Sequence, residues 1–253
     1  MPRRTFILLL VGLLAAFTLC LAVSSVAVPW YAHQSLAGKV GSYASVYLFE
    51  PSTYNRLVVE VHYEESARPS EAALAHLQTL LSNATGKTVI VRACSDIGAE
   101  EVPSSLGSGE VTEFGNSMIK EHAIARTGLI GGDAVIYIFY VNATAPEPKL
   151  SKGNRVGGVS YRGDSFVIFK NNIRDEGEEK TVLIHEAGHL LGLEHDEDQQ
   201  CAMVGSLIRV HRQNYTSPSP DDYCADHWRQ LKEGQHKLPL DELIGRISIP
   251  VLR

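Results

Sequence analysis

Apolar and polar positions along the chain change period several times, and each change marks an element. Residues 57–63, LVVEVHY, carry strand character. Residues 70–82, SEAALAHLQTLLS, space alanines and leucines at helical intervals behind Ser70, a suitable N-cap. The β-branched stretch 88–93, TVIVRA, predicts a strand, followed by a loop rich in Ser, Gly and acid over 94–109 and a helix over 110–127. DAVIYIFYV, 133–141, is nearly continuous in apolar residues, the mark of a strand covered on both faces. After a Pro/Gly/Lys loop at 144–155, two short strands, 156–161 and 165–170, flank an Arg162-Gly163-Asp164 turn. A helix follows over 178–191, then an irregular stretch over 196–220 and a last helix over 221–233. Residues 29–56 are mixed and assign to no element.

Strands alternating with helices predict helices laid against a twisted sheet, so the expected fold class is α+β with an α/β-like element order. The chain has 253 residues and lacks a linker rich enough to divide it, so residues 29–253 are expected to form one domain. The N-terminus stands apart. Arg3 and Arg4 precede an uncharged run from Phe6 to Val28. Ser25-Val26-Ala27 suits cleavage of a secretory signal, whereas the length of the run suits an uncleaved anchor able to span a bilayer. Either reading carries the rest of the chain across a membrane, to an extracellular or cell-surface location.

Composition narrows the partners. The net charge is −6. Two of the basic residues, Arg3 and Arg4, belong to the N-terminal flank, so the expected domain is more acidic still. That balance gives no electrostatic footprint for nucleic acid. Of four cysteines, Cys20 lies in the apolar run and Cys94, Cys201 and Cys224 remain, which in an exported protein suggests one disulfide and one thiol. Asn83, Asn142 and Asn214 each begin an Asn-x-Thr sequon.

The densest chemistry lies at 185–195, HEAGHLLGLEH. On a helix, His185 and His189 are one turn apart, so both imidazoles leave one face and can reach a single Zn²⁺. Glu186 stands beside the first of them, able to reach a water on the metal without binding the metal. Gly192 lets the helix end in a left-handed residue. The chain can then turn back and bring His195 to the same ion. Three neutral histidines leave a fourth coordination position open, as catalytic zinc sites do and closed structural ones do not.

This spacing, His-Glu-x-x-His-x-x-Gly-x-x-His, resembles the signature of the metzincin zinc peptidases. Met203, within CAMVG, is spaced from His195 as in matrixins and archaemetzincins, and the resemblance makes it the structural methionine of a tight turn beneath the metal. The resemblance implies a metzincin-type twisted mixed β-sheet, an active-site helix and a smaller irregular C-terminal subdomain. It implies a zinc metalloendopeptidase that hydrolyses peptide bonds with a metal-activated water and Glu186 as general base. It also implies that the 156–170 hairpin supplies an edge strand to which an extended peptide or protein substrate adds.

Subfamily features are mixed. Asp196 after the third histidine and Cys201 before the methionine are similar to adamalysins. Archaemetzincins place cysteines after the third histidine, two before the methionine and in a later Cys-x-x-Cys, and hold a second zinc there. Here the corresponding set is Asp196, Cys201, Cys224 and His227. A Cys201–Cys224 disulfide is favoured on compartment grounds, with a second metal site as the other reading. The acidic groups at 175–179 and 194–198 suit Ca²⁺ less well than a solvated face. The alternative function is a non-catalytic, membrane-tethered binding module on a metzincin scaffold. The remaining histidines, among them His62 and His122, are expected to be surface or core residues.

Overall fold

The computed structural model describes residues 12–19, 37–50, 52–107, 109–128, 131–145, 156–205, 211–212, 215–216 and 219–236. Of the N-terminal apolar run, residues 12–19 are helical and the rest lies outside the described residues. Among the described residues, no helix is long and apolar enough to cross a membrane.

A short helix, α1 (Ala44–Leu48), leads into β1 (Tyr54–Glu64), α2 (Glu71–Thr85), β2 (Thr88–Ile97), α3 (Glu110–His122) and β3 (Gly132–Val141). Then come β4 (Gly158–Ser160), β5 (Ser165–Phe169) and α4 (Glu176–Leu190). Two-residue strands β6 (His211–Arg212) and β7 (Tyr215–Thr216) pair with each other, and α5 (Ala225–Gln235) follows. The main sheet has the order β2-β1-β3-β5-β4. Its first four strands run parallel, and β4 lies antiparallel to β5 at one edge. The architecture is thus the mixed α/β arrangement that the alternation of patterns predicts.

The two-residue side-chain period of β1 and β3 divides the core between the sheet faces. Leu57, Val59 and Val61 of β1, with Ile136, Ile138 and Tyr140 of β3, pack with Leu77 and Leu81 of α2 and Leu183 and Leu190 of α4. On the other face Val58, Val135, Tyr137 and Phe139 pack with Val111, Phe114 and Met118 of α3. β3 is buried from Ala134 to Val141, consistent with its unbroken apolar run.

Helix α4 is fixed at its start by its own acidic run. Asp175 is the N-cap and accepts from the Glu178 backbone N–H at 2.8 Å, while the Glu178 carboxylate accepts from the Arg174 N–H at 2.9 Å. Glu179 is buried, pairs with Lys170 and accepts from the Ser70 N–H at 2.9 Å, and Ser70 Oγ donates to Glu176 at 2.9 Å. The acidic run therefore serves helix capping and the joint between α2 and α4, with carboxylates near the positive helix end.

Replacing the cap alone, Asp175→Ala, is expected to lower the free energy of unfolding by about 1 kcal/mol. Urea denaturation measures it; a midpoint equal to that of the parent protein would remove the cap from the account.

Candidate metal centre

His185, Glu186 and His189 lie in the last turns of α4. The helix closes at Leu191, and Gly192 takes φ +86°, the left-handed conformation that sends the chain back toward the helix. His195 thereby returns to the two helical histidines. The three Nε2 atoms form an equilateral triangle with 3.2 Å edges. A tetrahedral zinc at about 2.0–2.1 Å from each nitrogen requires edges of about 3.3–3.4 Å, so the donor set fits zinc in both chemistry and spacing.

The far sides of two rings fix their orientation. His185 Nδ1 lies 2.8 Å from the Ala202 carbonyl and His189 Nδ1 lies 3.0 Å from that of Leu193. A carbonyl can only accept, so each Nδ1 carries the proton and each Nε2 presents a lone pair. Burial holds His185 below the ordinary imidazole range, and the neighbouring His189 works in the same direction. Burial does the same for His195, aided by His185 and His189.

Met203 is fully buried against α4. A Cβ on Gly188 would stand 2.3 Å from Met203 Sδ and 3.2 Å from the Tyr223 hydroxyl, so the small residue between the two helical histidines lets the turn approach. Tyr223 Oη in turn donates to the Ile184 carbonyl at 2.6 Å. The turn is tied to the third histidine through the Asp196 N–H, which donates to the Met203 carbonyl at 2.8 Å.

Glu186 is buried and faces the edge strand. Ser160 Oγ on β4 lies 2.7 Å from Glu186 Oε2 and 3.1 Å from the Glu186 carbonyl oxygen. Nothing in the sequence singles out Ser160; only the seating of β4 on α4 reveals it.

A second cluster lies behind the turn. Asp196, Cys201, Cys224 and His227 each offer one donor atom, all within 4.8 Å of one another. His227 Nδ1 is 3.2 Å from Cys201 Sγ and 3.1 Å from Cys224 Sγ, and Cys224 Sγ is 3.4 Å from Asp196 Oδ2. Both cysteines are free, so the expected disulfide is replaced by a four-residue cluster with an imidazole nitrogen close to both sulfurs. Burial and the adjacent Cys201 thiol push Cys224 up to about 12. A hydrogen bond from the Asp198 N–H, then one from Cys224, holds Asp196 below the usual carboxylate range. Asp196 and Asp198 accept from the N–H groups of Asp198 and Gln200, both at 2.9 Å, so these acids shape their own loop.

Away from the triangle, His62 and His122 flank Asp96, with His62 Nδ1 at 2.9 Å and His122 Nδ1 at 3.6 Å. His122 Nε2 is 3.0 Å from Glu101. His62 lies on the α3 side of the sheet, stacked on Phe139 at 5.7 Å, so it is a core residue. His33 lies outside the described residues.

Residues 134–231 match the family model described as metallo-peptidase family M12, reprolysin type. The match covers less than half of the chain, from β3 into α5, and contains both clusters, so this segment is similar to metallopeptidases of that family. Among solved structures, the chain is similar to an archaemetzincin from Methanopyrus kandleri at 16% identity and a TM-score of 0.47, over 74% of this chain and 98% of that one. An archaemetzincin from Archaeoglobus fulgidus gives 14% and 0.41, over 68% and 99%. Metalloproteinase-II from Bacteroides fragilis gives 18% and 0.45, over 74% and 55%. No curated protein matches the chain in sequence.

The histidine shifts set a pH expectation. Both folded-state values lie below the ordinary 6.5, so the unfolded chain binds the protons more readily. The linked stability is full above about pH 6.5 and is lost as pH falls below it. Zinc retention should follow, steady at neutral pH and falling below about pH 6. Metal analysis after desalting checks it; unchanged content at pH 4 would contradict it.

Proposed function

We propose that the protein is a zinc metalloendopeptidase in which His185, His189 and His195 hold the metal and Glu186 is the general base. The observation that carries the reading is the 3.2 Å triangle of Nε2 atoms, with the Glu186 side chain one residue from its first corner. Zinc bound there supplies Lewis-acid polarisation of the scissile carbonyl and a water acidified toward neutrality. His185 and His189 turn Nε2 toward the metal because Nδ1 of each is held by a backbone carbonyl. Glu186 takes a proton from the attacking water and delivers it to the leaving amine. The substrate is an extended peptide, and β4 supports that choice because it ends the sheet, with its outer edge beyond β5. Backbone hydrogen bonds to that edge would align the peptide past the metal.

The intact Glu186 weighs against a purely binding role, since a module that only binds has no use for a base. Arg3-Arg4 and the apolar run behind them remain the grounds for reading the protein as exported. Glu186→Gln should keep its zinc and lose hydrolysis of a quenched-fluorescent peptide set by at least about 100-fold, within the range for general-base catalysis. Full activity in that variant would remove Glu186 from the mechanism.

A second metal is proposed at Asp196, Cys201, Cys224 and His227, supported by four competent donors of suitable kind within 4.8 Å. Its role is structural, since four protein ligands close a tetrahedral ion. The expected result is two zinc ions per chain with no disulfide, falling to one in Cys201→Ser. Metal analysis with thiol counting decides it: one zinc with a Cys201–Cys224 disulfide would overturn the proposal.

A further inference from the structure

We propose that Ser160 is a positioning residue for Glu186, fixing the carboxylate in the orientation that proton transfer needs. This rests on the reading of Glu186 as the general base and adds a requirement to it. Gly158 and Ser160 are two apart on β4, so they share one face of the strand, and that face meets α4. A Cβ on Gly158 would stand 2.7 Å from Glu186 Cγ, so the glutamate stem passes directly over this residue. A Cβ on Gly157 would stand 2.8 Å from Val182 Cγ2, one turn earlier on the helix. The two glycines thus bring the strand onto the helix, and the next residue on the same face supplies a hydroxyl to the end of the glutamate.

The hydroxyl reaches both Oε2, at 2.7 Å, and the Glu186 carbonyl oxygen, at 3.1 Å. Its single proton is shared between these two acceptors. The carboxylate, being charged, is the stronger acceptor of the two. A glutamate has three side-chain torsions, and a base must hold its oxygen at a set distance from the proton it removes. Without the hydroxyl the side chain is still confined by Gly158, but the carboxylate loses the hydrogen bond that fixes its rotation about the last torsion. The hydrogen bonds of Ser160 Oγ go to Glu186, so the residue acts through the base rather than on the metal. Its effect is on the geometry of the reacting complex rather than on zinc affinity.

The test uses the zinc-loaded full chain as parent, Ser160→Ala, Ser160→Thr, Ser160→Cys and Glu186→Gln. Each is assayed for zinc content and for kcat and KM on the best-cleaved member of the quenched-peptide set. Ser160→Ala should keep full zinc, leave KM within about two-fold and lose about 10- to 100-fold in kcat, the scale of a misplaced catalytic group. Ser160→Thr restores the hydroxyl and should recover to within about three-fold of the parent rate. Ser160→Cys keeps the volume with a weak donor and should fall as Ser160→Ala does, which covers the case in which the alanine variant does not fold. Parental kcat in Ser160→Ala or Ser160→Cys overturns the proposal. A rise in KM with kcat unchanged also overturns it, making Ser160 a substrate contact, as does a threonine variant no better than alanine, which marks a packing role. An active Glu186→Gln, or a parent that cleaves no peptide, brings down the underlying base or peptidase reading instead.

Discussion

Three imidazole nitrogens brought within 3.2 Å of one another, at a spacing suited to one ion, form an arrangement that ordinary packing does not favour. A cation relieves it, and the rest of the site can be read as the means of holding that triangle in register. The helix sets two corners. A left-handed glycine and the chain that follows it set the third. Carbonyl acceptors behind the two helical rings fix which nitrogen faces inward. The methionine turn packs against the helix at Gly188, and the edge strand closes over Glu186. The supports come from the helix end, the 202–203 turn and the edge strand, and β4 and β5 join the helix to the sheet.

Much of the fold is legible from local pattern because most elements are long and their apolar faces are regular. The misjudged boundaries share a tertiary cause. The helix expected over 110–127 stops at His122, because the N–H groups of Ile124 and Ala125 donate to the buried Glu60 carboxylate on β1 instead of continuing the helix. Strand β2 runs on to Ile97 although residues 94–97 read as loop, because β1 continues to pair with it there, with Cys94 opposite His62. The last helix begins at Ala225, since the Cys224 N–H donates to the Cys201 sulfur and Cys224 becomes the cap. Helix α1 is too short to announce itself and is held by Tyr47, fully buried and donating to the Val135 carbonyl at 3.0 Å. In each case a partner distant in sequence overrides the local preference.

The candidate site divides in the same way. The histidine spacing is local, dictated by helix geometry and one turn, so eleven consecutive residues suffice to suggest it. The second cluster draws on residues 28 to 31 positions apart for its outer members, and only the fold brings their side chains to one point. Ser160 was invisible for a related reason: a serine in a short strand is common, and its meaning comes from the helix against which that strand lies.

Ala202 joins the two halves of the matched segment through a single residue. Its N–H donates to the Asp222 carbonyl at 2.9 Å, just before α5, while its carbonyl accepts from the ring of His185. The C-terminal helix is thus two hydrogen bonds from a histidine on α4. One backbone unit thus holds both the approach to α5 and the ring that forms the first corner of the triangle, so the loop between α4 and α5 is anchored at the metal centre itself.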